Sequence, residues 1–171
     1  DGVVYTIQGV FPDQDGRKVA LALSPNGAEI LTVIVIDLDS KKLFRDRITQ
    51  FMGVVTWLKD NRSFLYTKSN SSDVYDQSRM LNTKIYHHRL GDNQNKDRIV
   101  FEAAQHPDIE VRPEEIPYVL YDWERDEYFL LLHTMERYFK LYYTRQAGWE
   151  PGQKLNWRKL IGTEDQVQDF Y

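Results

Sequence analysis

Along this chain, short stretches rich in β-branched and aromatic residues alternate with clusters of Gly, Pro, Asn, Asp and Ser. That rhythm predicts strands joined by tight turns. Residues 3–10 form the first such stretch, and Pro12-Asp13-Gln14-Asp15-Gly16 closes it with Asp-Gly turn chemistry. Residues 18–23 follow, ended by Ser24-Pro25-Asn26-Gly27. Residues 31–38 are apolar at nearly every position, as expected of a strand buried on both faces. After Asp39-Ser40-Lys41-Lys42, Leu43, Phe44 and Ile48 predict an outer edge strand. The charges of Arg45, Asp46 and Arg47 suit an edge that faces solvent.

The pattern then recurs. Residues 54–57, 64–68, 83–90 and 98–102 predict a second group of four strands, and 118–123, 128–133, 138–144 and 157–161 a third. Residues 167–170 read as the start of a fourth. Pro12-Asp13-Gln14-Asp15-Gly16-Arg17-Lys18-Val19 lies over Trp57-Leu58-Lys59-Asp60-Asn61-Arg62-Ser63-Phe64 without a gap. Trp123-Glu124-Arg125-Asp126-Glu127-Tyr128-Phe129 matches with one residue removed. A repeat of about 40–50 residues with four strands per unit is the signature of propeller blades. The expected fold is therefore all-β: a β-propeller segment of about three four-stranded antiparallel blades. Its limits are roughly 3–50, 51–104 and 116–162, with 163–171 opening a further blade. A β-sandwich is the rival architecture, since it too is built from evenly spaced short strands.

Composition narrows the picture. Hydrophobic residues make up 42% and aromatics 13%, as in globular chains. The 22 basic and 26 acidic residues are mixed, with no basic stripe to receive nucleic acid. No apolar run reaches the roughly 18 residues of a membrane-spanning helix. The absence of cysteine removes disulfides, thiolate catalysis and cysteine metal sites, and leaves the compartment open. No cofactor or metal is expected, because His87 and His88 are adjacent on a strand and point to opposite faces. The start at Asp1-Gly2-Val3, without a methionine or leader pattern, reads as a piece cut from a longer chain.

Trp57-x-x-Asp60-Asn61-x-x-Phe64-Leu65-Tyr66 resembles the Trp-x-x-Asp-Gly-x-x-Phe-Phe-Tyr of the prolyl oligopeptidase family of serine peptidases. Lys84-Ile85-Tyr86-His87-His88-Arg89-Leu90-Gly91 and Asp97-Arg98-Ile99-Val100-Phe101-Glu102 are similar to two further segments of that family's N-terminal propeller. Asp15-Gly16-Arg17-Lys18-Val19-Ala20 resembles its opening blade. The resemblance implies a propeller that covers an α/β-hydrolase domain, admits short peptides and excludes folded proteins. The implied partners are that catalytic domain and its peptide substrates. The family's serine elbow is not in this sequence, which has no Gly-x-Ser-x-Gly. The chain itself is thus expected to be non-catalytic.

Two features could carry the gating role that the resemblance implies. One is the polar insertion 69–82, with Ser69, Asp73, Tyr75 and Arg79, at the position of a mobile loop near the family's substrate entrance. The other is Phe51-Met52: Met52 holds the spacing at which some relatives place a substrate-facing phenylalanine, and Phe51 stands one position earlier. An ordinary hairpin loop and plain core packing are the competing readings of these two features. A free-standing propeller-type interaction module is the alternative function. Three blades also leave two bare apolar faces, through which self-association is expected; Val33, Val35, Phe64, Tyr66, Phe129 and Leu131 are the residues predicted to point toward neighbouring blades.

Overall fold

A computed structural model describes residues 2–134 and 138–168. Twelve strands follow in order: β1 (Tyr5–Pro12), β2 (Lys18–Pro25), β3 (Leu31–Asp37), β4 (Lys42–Leu43), β5 (Ile48–Trp57), β6 (Ser63–Lys68), β7 (Lys84–Arg89), β8 (Arg98–Phe101), β9 (Ile116–Asp122), β10 (Glu127–His133), β11 (Lys140–Arg145) and β12 (Arg158–Ile161). All ladders between these strands are antiparallel. β9 to β12 make one four-stranded sheet, and β1 to β8 hydrogen-bond into another. Among the described residues no helix is long and apolar enough to cross a membrane.

The repeat seen in the sequence is a repeat of hydrogen bonds. Pro12 pairs with Val19 and Trp57 with Phe64. Within these hairpins the Asp13 amide donates to the Lys18 carbonyl at 2.8 Å, and the Leu58 amide to the Ser63 carbonyl at 2.9 Å. Gly16 and Asn61, aligned in sequence, both take the left-handed conformation, at φ 67° and 50°. Glycine has no Cβ to clash there, and asparagine tolerates the region. In the third hairpin Asp122 pairs with Glu127, and Asp126 takes the left-handed position.

β5 is longer than expected because it serves two groups of strands. Its beginning pairs with β3 and the remainder with β6, and Phe51 is shared between them. Gln50 and Gly53 have positive φ, and the register shifts between Met52 and Val55. The chain bends there, and the apolar faces of β2–β3 and β5–β6 close on each other. Ala20, Ala22, Val33 and Val35 pack against Trp57, Phe64 and Tyr66 in one core. The opposite face of β6–β8, with Leu65, Ile85 and Val100, packs on Val119, Leu130 and Leu132 in a second core.

Several expectations are corrected. Burial on both faces belongs to β6, whose first five residues are all buried. β3 buries Val33 and Val35 but leaves Ile34 and Ile36 half-exposed, since only one of its faces is fully covered. The outer edge strand is reduced to Lys42–Leu43, and Ile48 belongs to β5. Asp46 does not face solvent: it is 5% exposed, because it is drawn inward by His88 and the Gly91 amide. Residues 167–168 are not in a strand, and the rest of the predicted 167–170 stretch lies outside the described residues.

Candidate functional site

Turn alternation in an antiparallel meander sends successive connections to opposite ends of a sheet. Residues 69–82, which join β6 to β7, therefore lie at the end where β5 begins. Phe51 pairs with Lys68 there, the Ser69 amide donates to the Gln50 carbonyl at 2.9 Å, and the Gln50 side chain donates to the Ser69 carbonyl at 3.2 Å. The structure thus brings together the two features singled out in the sequence.

Their side chains differ in what they offer. Phe51 is buried, with its ring edge-on to Phe11 at 6.1 Å, so it packs the core. Met52 is half-buried. Ser69 is buried and its hydroxyl donates to the Ser71 carbonyl at 3.1 Å. Asp73 is exposed and accepts from the Tyr75 amide, and Tyr75 is 89% exposed at the tip. The Arg79 guanidinium meets Glu29 of the β2–β3 turn at 2.6 Å. Asn82 donates to the Pro113 carbonyl at 2.7 Å. Asp–Ser turns brace the interior, with Asp76 accepting from the amide and hydroxyl of Ser78. Those bonds hold the Asp76 carboxyl below its ordinary pKa.

At the opposite end lies a cleft that sequence reading missed. It encloses about 1020 Å³ between the β5–β6 and β7–β8 turns on one side and the β9–β10 turn and residues 148–151 on the other. Tyr121 and Tyr128 stack at 4.6 Å, and Trp149 meets Tyr128 edge-on at 5.7 Å. The Tyr121 hydroxyl donates to Asp126 at 2.5 Å, and Lys59 reaches the same carboxylate at 3.4 Å. These two partners hold the Asp126 carboxyl below its usual range. Burial, then the Asp126 charge, pushes Tyr128 up to about 12. His87 lines the cleft, and burial lowers its pKa below the ordinary imidazole value. The only sequence sign of this cleft was the recurrence of the hairpins that wall it; nothing local links Lys59 to Asp126.

Two of the histidines are committed to the interior. Both ring nitrogens of His88 are occupied by aspartates, leaving none to take a proton from a hydroxyl. His106 stacks on Phe101 at 5.0 Å, with Nδ1 buried and, among the described residues, without a hydrogen-bond partner.

The seams between units are polar as well as apolar. The Thr56 and Thr67 hydroxyls donate to the Val119 and Pro117 carbonyls, each at 2.5 Å, and Trp57 Nε1 donates to the Phe11 carbonyl at 2.9 Å. These bonds satisfy buried groups that the strand ladders leave over.

Residues 1–168 match the family described as prolyl oligopeptidase, N-terminal β-propeller domain. Prolyl oligopeptidase A of Amanita bisporigera is 25% identical over 125 residues, covering 68% of this chain and 15% of that protein. Prolyl endopeptidase of Elizabethkingia miricola is 26% identical over 98 residues, covering 56% of this chain and 14% of the relative. The chain thus spans only a small part of the curated relatives it matches. Among solved structures, prolyl oligopeptidase B from Galerina marginata, bound to a 35mer hydrolysis and macrocyclization substrate, superposes with a TM-score of 0.75 at 20% identity, covering 92% of this chain and 23% of that one. Oligopeptidase B from Leishmania major gives 0.67 at 16% identity, over 90% of this chain and 19% of the other.

Proposed function

Because the chain belongs to the family of prolyl oligopeptidase N-terminal β-propeller domains, we propose that it is the non-catalytic part of a serine-type peptidase and governs which peptides reach an α/β-hydrolase domain. The family match across residues 1–168 is the observation that carries this reading. We take its blades as 3–50, 51–104 and 116–162, with 163–171 opening the next. The gating surface in this reading is the end of the blades where Met52 and residues 69–82 lie, with Asp73 and Tyr75 outermost, Arg79 braced on Glu29, and Ser69 and Phe51 as their footing. Its partners are the hydrolase domain and short peptides, and a chain without neighbouring blades self-associates through its open faces.

Acyl transfer needs an activated nucleophile and an oxyanion hole. Incubated with a serine-directed fluorophosphonate and a chromogenic proline peptide, the chain is expected to stay unlabelled and to turn nothing over. Covalent labelling of any serine would overturn the non-catalytic reading. Where the chain is joined to a hydrolase domain, replacing residues 71–80 by a short Gly-Ser turn should raise kcat/KM for long peptides more than for a short chromogenic one. An equal change for both would remove the gating role.

A further inference from the structure

Three chain segments meet out of solvent around His88, which is fully buried on β7. Its Nε2 lies 2.9 Å from Asp46 Oδ1, in the link between β4 and β5, and its Nδ1 lies 2.8 Å from Asp97 Oδ1, just before β8. A carboxylate only accepts, and a neutral imidazole has a single N–H to give. The array is therefore complete only when both ring nitrogens carry protons. Each aspartate is tied in further: Asp46 Oδ1 accepts from the Gly91 amide at 2.7 Å, and Asp97 Oδ2 from the Tyr66 hydroxyl at 2.8 Å. Asp46 Oδ2 is buried with no hydrogen-bond partner among the described residues, so the imidazolium is the charge that holds this carboxylate in the interior.

The other groups near His88 do not replace it. The Arg47 guanidinium is turned to the Phe44 and Asp46 carbonyls, at 3.2 and 2.8 Å. Gln94 donates to the Tyr66 hydroxyl at 3.2 Å. Phe64 presents its ring at 5.2 Å. On β7 itself, His87 pairs across to Leu65 and Arg98, on the other face of the strand, and Arg89 is exposed. Among the described residues the ion pairs of Asp46 and Asp97 are with His88 alone.

We propose that Asp46, His88 and Asp97 form a proton-operated latch that fastens the segment entering β5 to the β7–β8 turn. Because β5 is the strand that joins the first group of strands to the second, opening the latch loosens that joint. Burial alone favours the neutral ring, but the bonds and charges of Asp97 and Asp46 outweigh it and leave the His88 pKa above its ordinary value. A raised histidine contributes its full stabilisation below about pH 6.5, the unfolded value, and loses it as pH climbs through the folded value.

Hydrogen exchange of the 171-residue chain tests this. The protection factor of the Gly91 amide, which donates to Asp46, should hold steady in mild acid. Above the ordinary histidine range it should fall about tenfold per pH unit, then level off once the folded-state ring has lost its proton. The Leu90 amide, which donates to the Arg62 carbonyl at 2.8 Å, should keep its protection and so separate local release from global unfolding. Imidazole ¹⁵N shifts should show both His88 nitrogens protonated at neutral pH and one deprotonated at the pH where Gly91 protection levels off. His88→Gln should abolish the pH dependence of Gly91 protection; the wild-type measurements decide the matter if that variant does not fold. Gly91 protection that is flat with pH, or a neutral His88 ring at pH 7, would overturn the latch.

Discussion

Gly53 shows how much one atom can matter in this fold. It has φ +80°, and a Cβ placed on it would stand 2.0 Å from Cε1 of Tyr118 on β9. A side chain there would be strained in its backbone and would push the β9–β12 sheet away. Left-handed strain of about 1–2 kcal/mol and overpacking of about 1–3 kcal/mol act together at this site. Gly53→Ala should therefore lower the urea midpoint by the equivalent of about 2–5 kcal/mol with an unchanged m-value. Gly16→Ala is the control: φ is +67°, but nothing lies within 4 Å, so only the backbone term applies. Equal effects for the two would deny Tyr118 its role. What was legible at this scale was local. Asp15-Gly16 and Asn61 announced their turns because turn chemistry is set by immediate neighbours. Asp46 was misread as a solvent-facing charge for the same reason. Its partner His88 is 42 positions away, and a run of charges carries no sign of a distant imidazolium.

Among the elements, strand positions could be read closely and their ends poorly. Strand identity follows from side-chain pattern, whereas an end is set by where pairing stops. β5 was foreseen only from residue 54, although it starts at Ile48, because its first residues pair with β3 and no local pattern encodes that. The insertion 69–82 offers trypsin a single bond, after Arg79. The structure argues for a different bond. Arg79 is held at both its amide and its carbonyl, by Asp76 and Asn70, and its side chain is 18% exposed against Glu29. Tyr75 projects with 89% of its surface in solvent. Proteolysis follows local opening and access, so chymotrypsin should cut after Tyr75 well before trypsin cuts after Arg79. Glu29→Ala should speed the tryptic cut and leave the chymotryptic one unchanged. Early cleavage at Arg79 in the unaltered chain would show that the Glu29 brace does not hold in solution.

For the molecule as a whole, the propeller reading came from the repeat, and the repeat was visible because each unit must solve the same burial problem. What each unit buries against was less visible. Val33, Val35, Phe64 and Tyr66 do point toward a neighbouring group of strands, but that neighbour is within this chain, so they are buried rather than bare. Phe129 and Leu131 are half-buried on the far face of the β9–β12 sheet, beside Leu120 at 38% exposure. The barer face is the first one. There Tyr5, Ile7 and Val10 of β1 are 59%, 56% and 59% exposed, with half-buried Leu21 and Leu23 paired beside them. An apolar patch of this kind drives association, since each Å² removed from water yields about 25 cal/mol. The two bare faces are different surfaces, so copies that join first face to last face leave an unpaired face at each end. Sedimentation at micromolar concentration should therefore give a mass that rises with concentration past twice 20.3 kDa rather than stopping at a dimer. Ile7→Lys together with Val10→Lys should return the chain to 20.3 kDa without changing its unfolding midpoint by more than about 0.5 kcal/mol, as both side chains are already exposed. A chain that sediments as a monomer before those substitutions are made would mean that β1 is not an adhesive face.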